Sequence, residues 1–339
     1  MRTLVAALFF VAILLGSACQ EGEETPAHTA TPAAPTGSPT SPAATPTATP
    51  RPTLTPASPI ATPEASVPVG KIAFSSRRDG NGEIYLLTRD GELNLTNNPA
   101  EDIESDLSLD GSKIVFASNR EDSYDIYVME VDGSGLTRLT DDAAGDFSPR
   151  WSPDDKLVAF SRTGSLMVMD ADGENVRQVT QAKPGPTAEP CEAGAFLGGW
   201  SPDGQRLTFY AASSTRSQGQ VCTVDIDGSN LTVVAGEPPN QHVEPTWSPD
   251  GEWIAYRFIE SNTDNYEIYK VRLDGTSATN LTNNPAMDLE PDWSPDGEWI
   301  VFGSYRTGDC DLYMMRPDGT AVARLTTVIG KDSDPSWGP

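Results

Sequence analysis

One short motif recurs along the chain at a nearly fixed interval. Leu107-Ser108-Leu109-Asp110-Gly111, Trp151-Ser152-Pro153-Asp154-Asp155, Trp200-Ser201-Pro202-Asp203-Gly204, Trp247-Ser248-Pro249-Asp250-Gly251 and Trp293-Ser294-Pro295-Asp296-Gly297 are spaced by 44, 49, 47 and 46 residues. A partial copy, Pro335-Ser336-Trp337, follows 44 residues after Trp293. A period in this range marks a propeller or a solenoid, in which no unit buries its apolar faces alone. Behind the complete anchors stand Ile114-Val115-Phe116, Leu157-Val158-Ala159-Phe160, Leu207-Thr208-Phe209, Ile254-Ala255-Tyr256 and Ile300-Val301-Phe302. Ile72-Ala73-Phe74 repeats the pattern without an anchor in front of it, which makes six such β-type runs.

Further signals fall at matching places. A second apolar run appears at Ile84-Tyr85, Ile126-Tyr127, Ile268-Tyr269 and Leu312-Tyr313, and an Asp-Gly pair begins at Asp90, Asp132, Asp172, Asp227, Asp274 and Asp318. Asp-Gly between apolar runs signals a hairpin in which both residues take positive φ. Thr140, Thr180, Thr282 and Thr326 each stand eight residues after the aspartate of such a pair and close a unit. Each unit reads as four short antiparallel strands. The first lacks the strand that should precede Ile72, while the chain ends with a spare one at Ser336-Trp337. The last segment can therefore complete the first sheet and shut a ring, which leaves only short, protected edges. The expected fold is all-β: a six-bladed propeller over residues 70–339, closed by its C-terminal strand.

The anchor Trp-Ser-Pro-Asp-Gly, with the signals behind it, resembles the WD-like propeller repeat of the TolB family over residues 71–339. The resemblance implies a six-bladed propeller of the cell envelope that binds other proteins. It implies no particular site, because propellers carry many unrelated functions. The α/β domain that precedes the propeller in the family's namesake has no counterpart here; a segment of a different kind takes its place.

That segment begins with Arg2 and the apolar run Leu4 to Leu15, the length of a signal-peptide core and too short to span a bilayer. It ends in Leu14-Leu15-Gly16-Ser17-Ala18-Cys19, which resembles a bacterial lipoprotein signal, with Gly16 where a large aliphatic residue is usual. Residues 1–18 are expected to be a signal peptide and Cys19 the lipidated residue, so that the chain is exported and touches a membrane only through that lipid. Residues 19–69 hold 12 of the 29 prolines among Thr, Ala and Ser, and are expected to form a disordered tether. At ~3.1 Å per residue it would reach at most about 150 Å.

The chain carries 49 Asp+Glu against 23 Lys+Arg, a formal charge of -26. Nucleic-acid binding through phosphate is thereby excluded, since it needs clustered Lys and Arg. The anchor serines recur in every unit, which suits turn bonding better than nucleophilic attack. A hydrolase of serine or cysteine type also needs a base, and His242 is the sole histidine of the repeats, His28 lying in the tether. One histidine cannot supply the ligands of a zinc site. No catalytic residue is assigned.

The candidate site comes from aligning units on the anchor. Five positions before it stand Asp102, Asp146, Ala195, His242, Asp288 and Asp332; three before it stand Glu104, Ser148, Leu197, Glu244, Glu290 and Asp334. Side chains two apart on an extended segment face the same way. Asp102, Glu104, Asp146, His242, Glu244, Asp288, Glu290, Asp332 and Asp334 are therefore expected to ring the channel mouth. Such a ring suits a basic protein or peptide drawn in by a focused field. It also suits Ca²⁺, which takes about 6–8 oxygens; no other cofactor is implied. The plain alternative is that these side chains cap loops, bond neighbouring backbone and keep the protein soluble. The unit of Trp200 departs from the pattern, with Ala195 and Leu197, a long entry from Gln181 to Gly194 and an insertion near Ser213 to Gln220. Cys191 and Cys222 in that unit are expected to form a disulfide, and Cys310 to be unpaired or buried. The sequence thus points to an exported, lipid-anchored, monomeric, non-enzymatic protein-binding scaffold. The competing class is a Ca²⁺-dependent hydrolase or lyase acting at the acidic mouth.

Overall fold

The computed structural model describes residues 70–183, 191–192, 194–213, 216–261, 263 and 265–339. The signal peptide, Cys19 and the tether lie outside the described residues. Among the described residues there are 24 strands and no helix. The chain opens with β1 (Lys71–Ser76), β2 (Glu83–Thr88) and β3 (Gly91–Asn94). Blade II follows as β4 (Asp102–Leu107), β5 (Lys113–Glu121), β6 (Ser123–Glu130) and β7 (Thr137–Arg138). Blade III holds β8 (Asp146–Trp151), β9 (Leu157–Arg162), β10 (Ser165–Asp170) and β11 (Arg177–Gln178). Blade IV holds β12 (Gly194–Trp200), β13 (Arg206–Ser213), β14 (Arg216–Asp225) and β15 (Thr232–Ala235). Blade V holds β16 (Gln241–Trp247), β17 (Trp253–Ile259), β18 (Tyr266–Arg272) and β19 (Thr279–Asn280). Blade VI holds β20 (Asp288–Trp293), β21 (Ile300–Ser304), β22 (Asp311–Met315) and β23 (Ala323–Arg324), and β24 (Asp332–Gly338) ends the chain.

These strands form six four-stranded antiparallel sheets, and in the first the order is β24-β1-β2-β3. β24 pairs with β1 through Lys71↔Gly338, Ile72↔Trp337 and Ser76↔Asp332, so the last strand closes the ring from the inside. The core is divided among the blade interfaces. Ile72, Phe74 and Tyr85 of blade I pack with Val301, Leu312 and Met314 of blade VI around Trp337. Equivalent clusters join each successive pair of blades. The second strand of each blade is covered on both faces, which is why Ile72-Ala73-Phe74 and its repeats read as continuous apolar runs. Phe116 and Tyr127, like Phe302 and Tyr313, meet across adjacent strands at 6.0 and 6.1 Å between ring centres.

The repeated polar residues build the turns. In the anchor, Ser294 Oγ donates to Asp296 and accepts the Trp299 N–H at 2.9 Å, and the other anchor serines do the same. Those hydroxyls are committed to backbone and turn, which leaves none poised as a nucleophile. The closing threonines accept an N–H from the neighbouring strand, as Thr326 does from Leu312. The Asp-Gly turns differ from the sequence expectation. Only the glycine has positive φ, for instance 83° at Gly319, while Asp318 accepts the Thr320 N–H. Contact between blades adds a second reason for glycine there, because a Cβ on Gly319 would lie 2.4 Å from the Leu281 carbonyl of blade V.

Candidate functional site: an axial acidic cavity

The innermost strands β4, β8, β12, β16, β20 and β24 carry the positions five and three before the anchor, and five of the six, all but β12, are kinked. Glu104, Ser148, Glu244, Glu290 and Asp334 have φ of 56°, 50°, 53°, 51° and 49°, and the strand register shifts at these points. A left-handed residue breaks the alternation of an extended strand, as a bulge does. Positions five and three before the anchor therefore do not face the same way, which corrects the nine-residue ring.

The outer set turns into the blades. Asp102, Asp146, Asp288 and Asp332 are fully buried and pair with Arg120, Arg162, Arg306 and Arg78 of their own blades at 2.9, 2.6, 2.8 and 2.8 Å. Each guanidinium also lies over an aromatic ring of that blade, as Arg306 does over Tyr313 at 4.8 Å. In blade V, His242 replaces the aspartate and stacks on Tyr256 at 5.3 Å, with Phe258 at its edge. Burial lowers its pKa to about 4, so it is a neutral aromatic of the blade. These five residues are structural and do not reach the axis. A sequence signal for this existed: an arginine two or four residues after the phenylalanine occurs in the blades that carry the aspartate and not in those of Ala195 and His242.

The inner set does converge. Glu104, Ser148, Leu197, Glu244, Glu290 and Asp334 line a cavity of about 60 Å³ on the axis. A second tier, unforeseen from the sequence, lies one residue before the anchor: Asp106, Arg150, Thr246, Asp292 and Ser336. Below it a wider recess of about 200 Å³ opens between Trp151, Trp200, Trp247 and Trp337. Arg150 and its acidic neighbours form the waist between the two.

Both tiers clasp neighbouring blades. Glu104 accepts the Ser148 N–H at 2.6 Å, Glu244 that of Glu290 at 3.2 Å and Glu290 that of Asp334 at 2.7 Å. In the lower tier Asp106 accepts the Trp151 N–H, Asp292 that of Trp337 and Ser336 that of Leu107. Arg150 donates to the Gly198 carbonyl of blade IV at 3.0 Å. The ring is thus sewn across its blade junctions by side chain to backbone bonds, so the expectation of carboxylates bonding neighbouring backbone also describes part of what they do.

The remaining oxygens face a desolvated, like-charged centre. Burial raises Glu104 to about 7, with Asp334 adding to it, and burial lifts Glu290 well above the usual range beside Asp334 and Glu244. Asp292 is pushed up to about 6 by burial and by Asp106. Arg257 compensates Glu244 at 2.8 Å. Glu290 Oε1 is buried without a hydrogen-bond partner. Among the described residues no group of three or more His, Cys, Asp or Glu side chains is placed to hold a metal ion. One oxygen each of Glu104, Glu244 and Glu290 is engaged by a backbone N–H, and Asp334 accepts from the Ser333 hydroxyl.

Blade IV supplies the apolar wall. Its inner strand carries Phe196 and Leu197 in place of an acid, and Phe196 stacks on Tyr210 at 4.8 Å between centres. The Cys191–Cys222 disulfide, with Cα atoms 5.9 Å apart, ties the entry of this blade to β14. Cys310 in blade VI is buried, and none of the described cysteines is a free thiol. At Gly198 a Cβ would lie 2.0 Å from the Pro245 carbonyl. Gly198→Ala is therefore expected to lower stability by about 2 kcal/mol through forced displacement of the inner strands, read as a lower urea midpoint with unchanged slope.

The geometry accords with the comparisons. The model of the TolB beta propeller domain matches residues 55–165 and 161–339. The chain belongs to the TolB beta propeller domain family. Among solved structures, TolB from Acinetobacter baumannii is 19% identical over 80% of this chain and 67% of its own, with a TM-score of 0.66. A TolB candidate from Agrobacterium tumefaciens is 22% identical over 78% of this chain and 91% of its own, at 0.61. An oligogalacturonate lyase in complex with manganese is 20% identical over 76% of this chain and 74% of its own, at 0.51. At these identities the likeness is one of fold. No curated protein matches the sequence.

Proposed function

We propose that this TolB-family propeller is an exported scaffold, held at a membrane by a lipid on Cys19 and lifted from it by residues 20–69, which binds another protein or peptide at the acidic end of its axis. One observation carries the proposal: four carboxylates from four blades meet at a cavity that has an apolar wall on one side. Family membership supports the scaffold role.

A basic partner approaches the acidic end of the axis through solvent, where salt screens the attraction. Capture of a partner from envelope extracts on the immobilised full chain is expected to fall by about tenfold when salt rises from about 0.05 to 0.5 M. Salt-insensitive capture would move the contact to the exposed loops of blade IV, and turnover of an acidic oligosaccharide by the purified chain would overturn the non-enzymatic assignment. The anchor is tested separately: a labelled fatty acid should enter the wild-type chain and not Cys19→Ala.

A further inference from the structure

The upper tier offers an unusual acceptor set. Glu104, Glu244 and Glu290 each give one oxygen to the backbone of the next blade, so none has both oxygens available on the axis. A guanidinium binds best to both oxygens of one carboxylate, whereas an ammonium is a compact charge with three rotatable donors that suits single oxygens arriving from several directions. Glu290, more than nine-tenths buried, lines the cavity with an oxygen that has no partner. A buried acceptor in that state is costly and points to a donor that is supplied from outside. Opposite the acids, Phe196, Leu197 and Tyr210 form an apolar wall. The cavity of about 60 Å³ has room for about four water-sized groups, enough for a charged head and a short length of stem.

We propose that this cavity takes the ε-ammonium of one lysine side chain of the partner, with its methylene stem against the Phe196, Leu197 and Tyr210 wall. The assignment rests on the protein-binding reading above and specifies its central contact. The cationic head approaches Glu290 between Asp334 of β24 and Glu244 of β16, the latter held by Arg257 of β17, with Tyr305 after β21 also within its field. Around Glu104 the charged neighbours are Asp334 and Arg150, with Tyr124 nearby. Burial shifts Glu104 and Glu290 above the ordinary carboxylate range and a nearby ammonium shifts them back, so binding is expected to release protons.

The test uses the full chain and four blocked tripeptides, acetyl-Gly-X-Gly-amide, with X as lysine, Nε-acetyl-lysine, arginine or norleucine. Calorimetry near pH 7 should show the lysine peptide binding, with the other three weaker by about tenfold or more. Heats in two buffers of different ionisation enthalpy should report proton release. Glu290→Gln should weaken the lysine peptide by about tenfold while preserving the β-type circular dichroism, and Glu104→Gln gives a second variant should the first misfold. Equal binding of norleucine, stronger binding of arginine, or indifference to both Gln variants would overturn the lysine assignment. Displacement of the lysine peptide by micromolar Ca²⁺ would replace it with a metal. If no peptide binds while salt-sensitive capture of an envelope protein persists, the lysine contact falls and the scaffold role stands; if capture is also absent, the scaffold role falls too.

Discussion

A chain that stops at Lys331 is expected to lose the closed wheel altogether. β24 supplies the inner strand of blade I, and without it the inner edge of β1 is left bare. The same deletion removes Trp337 from the cluster that joins blades VI and I, and takes Asp334 and Ser336 from both tiers of the axis. Ser336 is the link to blade II, since its hydroxyl accepts the Leu107 N–H and donates to Asp106. Loss of a buried tryptophan alone costs about 3–5 kcal/mol, and a domain holds about 5–15 kcal/mol in total. Removing the strand and its bonds as well exceeds that margin. The truncated chain should show no cooperative urea transition and should elute as aggregates. Trp337→Ala, which keeps the strand, should still fold, with stability lowered by about 4 kcal/mol. A truncated chain that melts at the wild-type midpoint would show that closure contributes little to this fold.

The wheel was legible because its determinants are repeated. The anchor, the Ile-Ala-Phe type run and the Asp-Gly turn occur once per sheet, and the missing first strand is matched by the spare last one. The site was legible only in part, for two reasons. First, the alternation rule assumes an extended inner strand, whereas Glu104, Glu244, Glu290 and Asp334 sit in a left-handed kink that turns Asp102, Asp288 and Asp332 away from them. Three of those four precede a proline, a cue to irregular backbone that does not by itself announce positive φ. Second, the lower tier shares a position but no residue type: Asp106, Arg150, Thr246, Asp292 and Ser336 do one job, reaching the next blade, with different chemistry. A search for repeated residues passes over such a column. A search for columns that are polar just before the buried anchor residue, Leu107 in blade II and tryptophan elsewhere, finds it, with Gly199 as the exception in blade IV.

The stability of this protein is expected to fall as pH rises through neutrality, the reverse of ordinary acid denaturation. The sign follows from the axis. Glu104 and Asp292 bind protons more tightly folded than unfolded, at about 7 and about 6 against ordinary values of 4.5 and 3.8. For an acid with a raised folded pKa, the stabilising contribution is fully present below the unfolded pKa, where both states hold the proton, and it is lost as pH climbs from the unfolded to the folded value. The window therefore runs from about pH 4 to about pH 7, and each of the two groups accounts for about 3 kcal/mol across it. Glu290, Asp334 and Asp106 shift in the same direction, and His242, lowered to about 4 by burial, opposes them below about pH 6.5 without cancelling them. Urea midpoints measured at pH 5, 6, 7 and 8 should descend and then level. General repulsion among the surface carboxylates of this acidic chain acts in the same sense, but it is screened by about 0.5 M salt, whereas the buried ring is not. The descent should survive that salt. Glu104→Gln, whose amide oxygen can still accept the Ser148 N–H, should match the wild type at pH 5 and exceed it at pH 8. Midpoints that climb from pH 5 to 8, or a Glu104→Gln chain no more stable than wild type at pH 8, would mean that the axis is wetter and its carboxylates more freely ionised than their burial implies.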